Sequence, residues 1–403
     1  MITVEEAFAQ MQQNRVDFGL EEVLLEDAVG RVLMQNVTAD RDFPPFDRAT
    51  KDGIAINFHA IQQGITKYKI EGIQAAGDSQ KQLHDPMACF EIMTGAVVPA
   101  GADTVVMYEQ VQLENGVAIL QTEKVKERQN VHFQGQDARQ GDVLLQAPVK
   151  LLPKHVNTLA SVGKYKVPVA GLPKVAIIST GDELVEVQEM PEPHQIRKSN
   201  VYALKSLLKE DGINGDLYHT QDKEEEIVET LGRLLAQYDV LLLSGGVSKG
   251  KYDLIPECLQ KLGVEKVFHG IKQRPGKPFW FGVKEDKCVF AFPGNPISTY
   301  VCYLLYFRAW LGHSINSPLP AIPVKDIGAM TGLQDFWYHR LVHASWDGTA
   351  QKIRTDAIDN SGSGDLVSLN LANGLLSVPP ASAPHATPFF TPFSAQVHAY
   401  AHL

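Results

Sequence analysis

Short apolar runs and amphipathic segments alternate along the chain from residue 174 to residue 316. The runs KVAII, DVLLL and KCVFAF are continuous and end near glycine, a pattern that predicts buried strands. Between them, Val201, Leu204, Leu207 and Leu208 recur at helical spacing, and Gly212 ends that segment. The alternation predicts a parallel sheet with helices on both faces.

Polar residues in front of the periodic segments predict where these helices begin. Ser199 or Asn200 is the expected N-cap of the first helix, and Asp222 that of the second. Asn295 is the expected cap of the long segment PISTYVCYLLYFRAWL, with Pro296 at its first helical position.

The first 170 residues follow a different pattern. Thr3 and Glu6 fit a capping box at the start of a first helix. Short β-prone runs such as KYKIEGI and DTVVMYEQV then lie between glycines and prolines, and LLPKHVNTLASVG returns to helical spacing. We therefore expect an N-terminal domain of residues 1–40 and 141–170, interrupted by a β-rich domain of residues 41–140.

The closely spaced prolines of SPLPAIP mark a boundary between an α/β domain, residues 171–316, and a C-terminal domain, residues 317–403. Alternating segments such as WYHRLVHASW follow, and Asn373-Gly374 is typical of a tight hairpin. We expect a small β-barrel or sandwich there.

Composition restricts the partners and the compartment. The formal net charge of −10 argues against nonspecific binding to nucleic acid or to anionic membranes. Four cysteines show neither a CxxC pair nor zinc-like spacing, which indicates reduced, packed thiols. The N-terminal segment lacks a signal-peptide pattern, and no run is apolar enough to span a bilayer, so we expect a cytoplasmic protein.

Three loops follow predicted strands and carry the candidate chemistry: STGDE, SGGVSKGKYD and PGNPIS. In an open parallel sheet, ligands bind outside the carboxyl ends of the strands. Gly245, Gly246 and Gly294 would let the backbone approach a phosphate, although each glycine alone could simply form a turn. The cations near these loops in the sequence are Lys249, Lys251, Lys272, Arg274 and Lys277. Neither a P-loop nor a dinucleotide fingerprint is present.

Acidic residues accompany these cations. Asp182, Glu183 and Asp253 would place carboxylates beside phosphate-binding cations, which suits a pyrophosphate bridged by Mg²⁺. Asp182 or Glu183 alone could instead be an acid at a helix start. By pattern alone, Asp52 and Thr94 are turn residues.

An ordered series of motifs resembles the MoeA/gephyrin family of molybdopterin molybdenumtransferases. The series is PPFDRATKDGIAI, IMTGAVVPAGADTVV, NVHFQGQDARQGDVLL, ISTGDEL, QIRKSN, SGGVSKGKYD, RPGKP, FPGNPIS and NSGSGDLVSL. Each motif alone is weak, but nine in order, over residues 30 to 375, are specific.

The resemblance implies a multidomain α/β plus β protein with a MoaB/MogA-like sheet domain, an inserted β-rich domain and a C-terminal β-barrel. It implies a homodimer whose active site lies between the α/β domain of one protomer and the β-rich domain of the other. The implied reaction inserts molybdenum from molybdate into adenylylated molybdopterin and releases AMP with Mg²⁺ assistance. A transient contact with the molybdopterin adenylyltransferase is also expected.

The resemblance also implies roles for individual residues. The catalytic positions are Asp52, Thr94, Glu183, Asp253 and Lys277, of which Asp52, Glu183 and Asp253 are the metal ligands, and Asp222 matches a further acid. The expected substrate-binding positions are Thr180, Gly181, Ser244, Gly245, Gly246, Ser248, Arg274, Pro275, Gly276, Gly294, Asn295, Ser298, Arg340 and Ser363.

The chain departs from the family pattern at three places. The segment Ala49-Thr50-Lys51-Asp52-Gly53 stands where the family usually reads SAMDG, Lys251 stands where an acid is usual, and Gln136 stands where glutamate is common. Two other functions stay open. One is the preceding adenylyl transfer, which relatives of the α/β domain alone perform, although the flanking domains argue against it. The other is a partner-binding scaffold without turnover, which Lys251 keeps open.

Overall fold

The computed structural model describes residues 1–247, 254–318, 322–324, 327, 332–348, 352–383 and 385–393. The backbone divides into two compact units. The first comprises Met1–Val23, Ala28–Met34 and Pro168–Leu403, and the second comprises Leu24–Asp27 and Gln35–Val167. The four domain ranges inferred from the sequence stay predictions.

A six-stranded sheet forms the centre of the first unit. Its spatial order is Gly215–Thr220, Val175–Thr180, Val240–Ser244, Lys287–Phe292, Trp280–Lys284 and Glu265–His269. The first four strands are parallel, as the alternating pattern predicts. The last two each pair antiparallel with the preceding strand, so Trp280–Lys284 runs opposite to the other five, which the pattern did not reveal. Only Glu285 and Asp286 separate Trp280–Lys284 from Lys287–Phe292, and so short a link permits only a hairpin.

Helices cover this sheet and include Val4–Gln13 from the chain start. The others are Ser199–Glu210, Glu224–Gln237, Ile255–Lys261, Pro296–Cys302 and Arg308–Ser314, with a π-helical turn at Tyr303–Phe307. The start of the long final helix is confirmed, because Asn295 is its N-cap residue and Pro296 its first residue. All four cysteines are buried and free of disulfides, as expected.

Two predicted helix starts are wrong by one or two residues. Lys198, rather than Ser199 or Asn200, is the N-cap of Ser199–Glu210, and it makes no capping side-chain bond. Lys223, rather than Asp222, precedes Glu224–Gln237, again without a side-chain cap. The Asn200 side chain bonds Ser244 and Gly294 instead, and packing of the apolar face is sufficient to place these helices.

The predicted capping box of the first helix is confirmed. The Thr3 hydroxyl accepts from the Glu6 N–H at 3.1 Å, and the Glu6 carboxylate accepts from the Thr3 N–H at 2.7 Å. Val4, Ala7 and Met11 on this helix are buried in the main core of the first unit. This core is rich in aromatic side chains, which are Phe268, Phe279, Phe281, Phe290, Phe292, Tyr303, Tyr306, Phe307, Trp310 and Trp337.

A second sheet of the first unit contains most of the described C-terminal strands. Its spatial order is Gln273–Arg274, Trp337–Asp347, Gly374–Val378, Phe389–Pro392 and Ile322–Pro323, with Lys352–Ala357 also paired to Trp337–Asp347. The predicted hairpin at Asn373-Gly374 is wrong, because the short helix Leu366–Leu371 precedes Gly374. The Asn373 side chain instead bonds the N–H and the carbonyl of Ala344, at 2.7 and 2.8 Å.

Five further short strands lie in the first unit or where the chain passes from one unit to the other. These are Leu20–Leu24, Val32–Leu33, Lys166–Ala170, Leu184–Val185 and Ile196–Arg197. Leu184–Val185 and Ile196–Arg197 pair in parallel and enclose a loop at the carboxyl edge of the main sheet.

The second unit is β-rich, as the short runs predict. Its main sheet has the order Thr104–Met107, Gly53–Ile56, Cys89–Ile92, Lys67–Gln74, Val117–Leu120 and Val111–Glu114. The remaining strands are Val37–Thr38, Arg48–Ala49, Val131–His132, Val143–Leu145 and Val149–Lys150, and the helices are Phe58–Gln62 and Pro153–Ser161. Ile54, Ile56, Tyr68 and Val106 form part of its buried core.

The capping box provides a test of how the first helix is held. We expect Thr3→Ala to lower the free energy of unfolding by about 1 kcal/mol, because the Glu6 N–H loses its acceptor. Thr3→Ser keeps an acceptor oxygen and should retain most of the stability. Urea unfolding followed by tryptophan fluorescence compares the two variants, and equal losses would contradict the capping role.

Candidate active site

Three glycine loops meet at the carboxyl edge of the main sheet. A Cβ on Gly245 would lie 3.1 Å from the carbonyl oxygen of Thr180, and one on Gly294 would lie 3.9 Å from the Gly245 Cα. The Gly245 N–H also donates to the carbonyl of Phe292 at 3.2 Å. The loops after Val175–Thr180, Val240–Ser244 and Lys287–Phe292 are therefore in direct contact.

The Asn200 side chain connects two of these loops. Its Nδ2 donates to the Gly294 carbonyl at 2.7 Å and to the Ser244 hydroxyl at 3.1 Å. Sequence reasoning treated Asn200 only as a helix cap and missed this role, although it lies in the motif QIRKSN. An amide that bonds two loop groups fixes their separation.

A cleft of about 570 Å³ opens beside the joined loops, and we call it the edge cleft. Its lining residues are Ser179, Thr180, Glu183, Leu184, Pro191, Gln195, Ile196, Arg197, Lys198, Ser199, Asn200, Val201, Ser244, Gly245, Gly294, Asn295, Pro296, Gly364 and Leu366. Lys198 is buried and pairs with Glu186 at 2.6 Å. The walls combine apolar surface with hydroxyl, amide and charged groups, as in sites for mixed organic ligands.

A second cavity of about 410 Å³ lies beside the RPGKP loop, and we call it the cationic cavity. Its described lining residues are Arg274, Pro275, Gly276, Lys277, Pro278, Pro293, Asn295, Ile297, Ser298, Tyr338, His339, Leu341, Asn360, Gly362 and Ser363. This set holds two cations and no carboxylate, so it favours an anion. The Phe336 ring lies 5.8 Å from the Arg274 guanidinium and 5.6 Å from the Lys277 ammonium, within cation–π range.

The edge cleft and the cationic cavity share Asn295. The Asn295 Nδ2 donates to the Ser363 hydroxyl at 2.7 Å, and the Ile297 N–H donates to the Ser363 carbonyl at 3.1 Å. These bonds hold the start of the helix Pro296–Cys302 against the 360–363 segment. Because Asn295 lines both, a ligand with two parts could extend from the edge cleft into the cationic cavity.

His339 in the cationic cavity is a second residue that sequence reasoning missed, because it belongs to no recognisable metal-binding or catalytic motif. Its Nδ1 lies 2.8 Å from the Ser377 hydroxyl, and its Nε2 has no hydrogen-bond partner among the described residues. Burial lowers the pKa of His339 to about 3, so the ring stays neutral at neutral pH. The cavity charge therefore comes from Arg274 and Lys277.

The structure brings together most of the predicted positions of the α/β and C-terminal domains. Those lining the edge cleft are Thr180, Glu183, Ser244, Gly245, Gly294 and Asn295, and those lining the cationic cavity are Arg274, Pro275, Gly276, Lys277, Asn295, Ser298 and Ser363. Gly181, Gly246 and Arg340 line neither space. Arg340 lies 3.8 Å from the exposed carboxylate of Asp359. Ser248, Lys249, Lys251 and Asp253 lie outside the described residues. The assigned roles of all these positions stay predictions.

Gly246, Gly181 and Asp182 nevertheless lie close to predicted site residues. A Cβ on Gly246 would be 3.0 Å from the Thr180 hydroxyl, and one on Gly181 would be 2.6 Å from the Glu183 carboxylate. The Asp182 carboxylate accepts from the Asp222 N–H at 3.2 Å. These three residues shape the loop that presents Thr180 and Glu183.

Asp52 and Thr94 lie together in the second unit. The Asp52 Oδ1 accepts from the Thr94 N–H at 2.6 Å and from the Thr94 hydroxyl at 2.8 Å. These two hydrogen bonds, the backbone one first, lower the pKa of the Asp52 carboxyl. Asp52 is exposed, ionised at neutral pH and fixed in position.

Comparisons with known proteins agree with this geometry. Residues 2–163 match the family model "MoeA N-terminal region (domain I and II)", and residues 176–313 match "Probable molybdopterin binding domain". The molybdopterin molybdenumtransferase of Synechocystis sp. is 37% identical over 94% of this chain and 96% of its own length. This chain belongs to the molybdopterin molybdenumtransferase family.

Further members of the family support the assignment. The Bacillus subtilis molybdopterin molybdenumtransferase is 33% identical over 81% of this chain and 79% of its own length. The crystal structure of the molybdopterin biosynthesis MoeA protein of Pyrococcus horikoshii OT3 matches with a TM-score of 0.80 at 27% identity. The match covers 97% of this chain and 100% of the chain in that structure. The predicted fold class is confirmed, and no helix of the described part is both long and apolar enough to cross a bilayer.

The RPGKP loop provides a stability test. Gly276 has φ +88°, and a Cβ there would lie 2.5 Å from the Cys302 sulfur and 2.6 Å from the Gln273 Nε2. We expect Gly276→Ala to lower the free energy of unfolding by more than about 1 kcal/mol. Gly294→Ala is the control, since the nearest atom to its added Cβ would be 3.9 Å away. Urea unfolding that ranks the two variants equally would contradict this packing.

The Asp52–Thr94 pair provides a pH test. Thr94→Val removes the hydroxyl donor and keeps the N–H donor, so the pKa of Asp52 should rise only part of the way to its ordinary value of 3.8. Because the folded pKa is lowered, the stabilisation is present above the unfolded pKa and is lost as pH falls through the folded one. A carboxyl NMR titration of Asp52 measures both proteins, and an unchanged pKa would exclude the hydroxyl contribution.

Proposed function

We propose that the protein inserts molybdenum from molybdate into adenylylated molybdopterin and releases AMP. The supporting observation is a cavity with Arg274, Lys277 and no carboxylate among its described lining residues, adjoining a larger mixed cleft through Asn295. Relatives named molybdopterin molybdenumtransferase span nearly the whole chain. An anion and an organic nucleotide are the two kinds of group that these spaces suit.

The two spaces divide the substrates by chemistry. The edge cleft would take the pterin nucleotide, because its walls combine apolar side chains with hydroxyl and amide groups. The cationic cavity would take molybdate, a tetrahedral dianion, between Arg274, Lys277 and the hydroxyls of Ser298 and Ser363. Tetrahedral oxyanions are bound by cations and hydroxyl donors that converge from several directions.

The chemistry then follows from the bonds that change. A water oxygen bonds to one phosphorus of the pyrophosphate as the bridging phosphorus–oxygen bond breaks, so AMP leaves with one phosphate and the pterin keeps the other. The two dithiolene sulfurs replace two molybdate oxygens, which leave as two water molecules after taking up four protons, two from the dithiol and two from solvent. Lys277 and Arg274 would offset the negative charge that collects on the oxyanions, and donors held in place before the reaction are the most effective for this.

Mg²⁺ is the proposed cofactor, and the residues at the edge cleft fit it. Among the described residues, no three His, Cys, Asp or Glu side chains lie close enough to form a complete metal site. Magnesium is commonly held by one or two carboxylates together with substrate phosphates, so Glu183 in the cleft wall is a suitable ligand. We propose Asp253 and Asp52 as further ligands. When bound, Mg²⁺ would supply positive charge to the pyrophosphate oxygens.

The proposed assembly is a homodimer in which Asp52 and Thr94 of one protomer serve the α/β domain of the other. Support comes from the fixed, ionised Asp52 carboxylate, whose second oxygen accepts no hydrogen bond from the described residues. A transient contact with the molybdopterin adenylyltransferase, which would deliver the substrate, and a location in the cytoplasm complete the proposal.

The function is tested by molybdate-dependent AMP release from adenylylated molybdopterin. We expect Lys277→Ala to reduce the rate roughly 10²-fold, because a donor to the charged transition state is lost. Lys266→Ala is the matched control, since Lys266 is an exposed lysine on the edge strand Glu265–His269 that lines neither space. Equal rates in the two variants would contradict the role of the cavity.

The same assay separates the two other candidate functions. ATP consumption with unadenylylated molybdopterin would identify the protein as the preceding adenylyltransferase. Binding of the adenylylated pterin without any AMP release would identify a scaffold that has lost turnover. Either result would overturn the proposed reaction.

A further inference from the structure

The RPGKP loop rests on a buried polar cluster of Gln273, Cys302 and Tyr306. Gln273 immediately precedes Arg274 and is fully buried, as are Cys302 and Tyr306. Its Oε1 accepts a hydrogen bond from the Tyr306 hydroxyl, and its Nε2 donates to the Cys302 sulfur at 3.6 Å. The side chain before the loop is therefore bonded at both ends of its amide.

The loop backbone packs directly on this cluster. The Cys302 thiol donates weakly to the Gly276 carbonyl at 3.7 Å. The close approach of Gly276 to Gln273 and Cys302 leaves no room for a Cβ. The loop carries Arg274 on one side of Gly276 and Lys277 on the other, so displacement of the cluster would move both cations.

Tyr306 cannot readily move from its position. It belongs to the π-helical turn Tyr303–Phe307, and such turns are frequent at functional sites. Its ring centroid lies 5.3 Å from that of Phe8 and 5.2 Å from that of Phe279. Gln273 and Tyr306 have no solvent-accessible surface, so bulk water does not compete for the bond between them. The first helix, through Phe8, is thereby connected to the loop.

We propose that Gln273 and Tyr306 are positioning residues that hold Arg274 and Lys277 at the oxyanion. The inference rests on the proposed function, since it takes the cationic cavity as the molybdate site. Neither residue lines that cavity or contacts a substrate. They act through the backbone of the loop, where small displacements of a bound reactant change rates strongly.

The π-helical turn offers a matched pair of substitutions. Tyr306→Phe removes the hydroxyl that bonds Gln273 and keeps the ring contacts. Tyr303→Phe removes an equally buried hydroxyl on the same turn, which bonds the Asp211 carboxylate at 2.8 Å, away from the loop. The bond that Tyr303→Phe removes has a charged acceptor, so this variant should lose at least as much thermal stability as Tyr306→Phe. A purely structural role therefore predicts that its kinetics change at least as much.

We expect Tyr306→Phe to weaken molybdate binding and to raise the molybdate KM by roughly tenfold, with the KM for adenylylated molybdopterin unchanged. Tyr303→Phe should leave both KM values at wild-type levels. Gln273→Met, which removes both bonds of the amide, should weaken molybdate binding at least as much. The double variant Tyr306→Phe/Gln273→Met should be no worse than Gln273→Met alone, because the two residues share one interaction.

Calorimetric titration of the full chain with molybdate distinguishes the possible failures. If Lys277→Ala abolishes binding while Tyr306→Phe and Tyr303→Phe behave alike, the positioning role is wrong and the proposed site stands. If Lys277→Ala binds molybdate as the wild type does, the cavity is not the molybdate site and both proposals fall. A Tyr306→Phe protein that does not fold leaves the decision to Gln273→Met, whose unchanged molybdate affinity would overturn the inference.

Discussion

The close approach of backbone segments at the carboxyl edge of the main sheet is the constraint on which the site depends. Gly245 and Gly246 adopt φ values of +102° and +67°, and neither has room for an unhindered Cβ beside Thr180. Only glycine meets both conditions at low cost. Because these loops lie against one another, Asn200 can bond Ser244 and Gly294 with one amide group. Larger residues would separate the loops and leave that amide without its two partners.

The charge of the cationic cavity is opposite in sign to the net charge of the chain. The chain carries a net charge of −10, yet the described wall of the cationic cavity has two cations and no carboxylate. Dissolved ions limit the range over which exposed charges interact to about 8 Å. A cation about 4 Å from an anion, in contrast, contributes about 4 kcal/mol at an intermediate dielectric. The nearest cations therefore decide which ligand binds. Phe336 approaches Arg274 and Lys277 without neutralising either.

The sequence correctly predicted those features that depend on local burial or on neighbouring residues. The continuous runs at Val175–Thr180, Val240–Ser244 and Lys287–Phe292 are buried parallel strands, and the glycine loops after them meet as expected. The capping box at Thr3 also needs only residues three positions apart. In each case the deciding interaction lies within one segment, or follows from the geometry of parallel strands.

Interactions between distant segments could not be predicted in this way. Asparagine is a residue type that often caps helices, so the sequence suggested only that role for Asn200. Only the fold brings Gly294 to its amide. No sequence motif identifies His339, because the burial that keeps its ring neutral is created by the fold. Trp280–Lys284 is largely buried like the parallel strands, so pattern alone does not give its direction, and Glu265–His269 is partly exposed. The family resemblance located the loops but did not identify these supporting contacts.

The two adjoining spaces raise an electrostatic problem that the protein's own side chains meet only in part. A molybdate dianion in the cationic cavity and a pyrophosphate in the edge cleft would repel each other across Asn295, which is neutral. Arg274 and Lys277 line the cationic cavity, but Lys198 in the cleft is already paired with Glu186. Of the described cleft cations, Arg197 has no ion pair with a described carboxylate, and its guanidinium donates to the Glu189 carbonyl at 3.0 Å. Among the described lining residues, positive charge is thus concentrated in the cationic cavity, so a pyrophosphate in the edge cleft is where a divalent cation at Glu183 would be needed most. Departure of AMP would remove the same repulsion, which links breakage of the pyrophosphate to retention of the metal oxyanion.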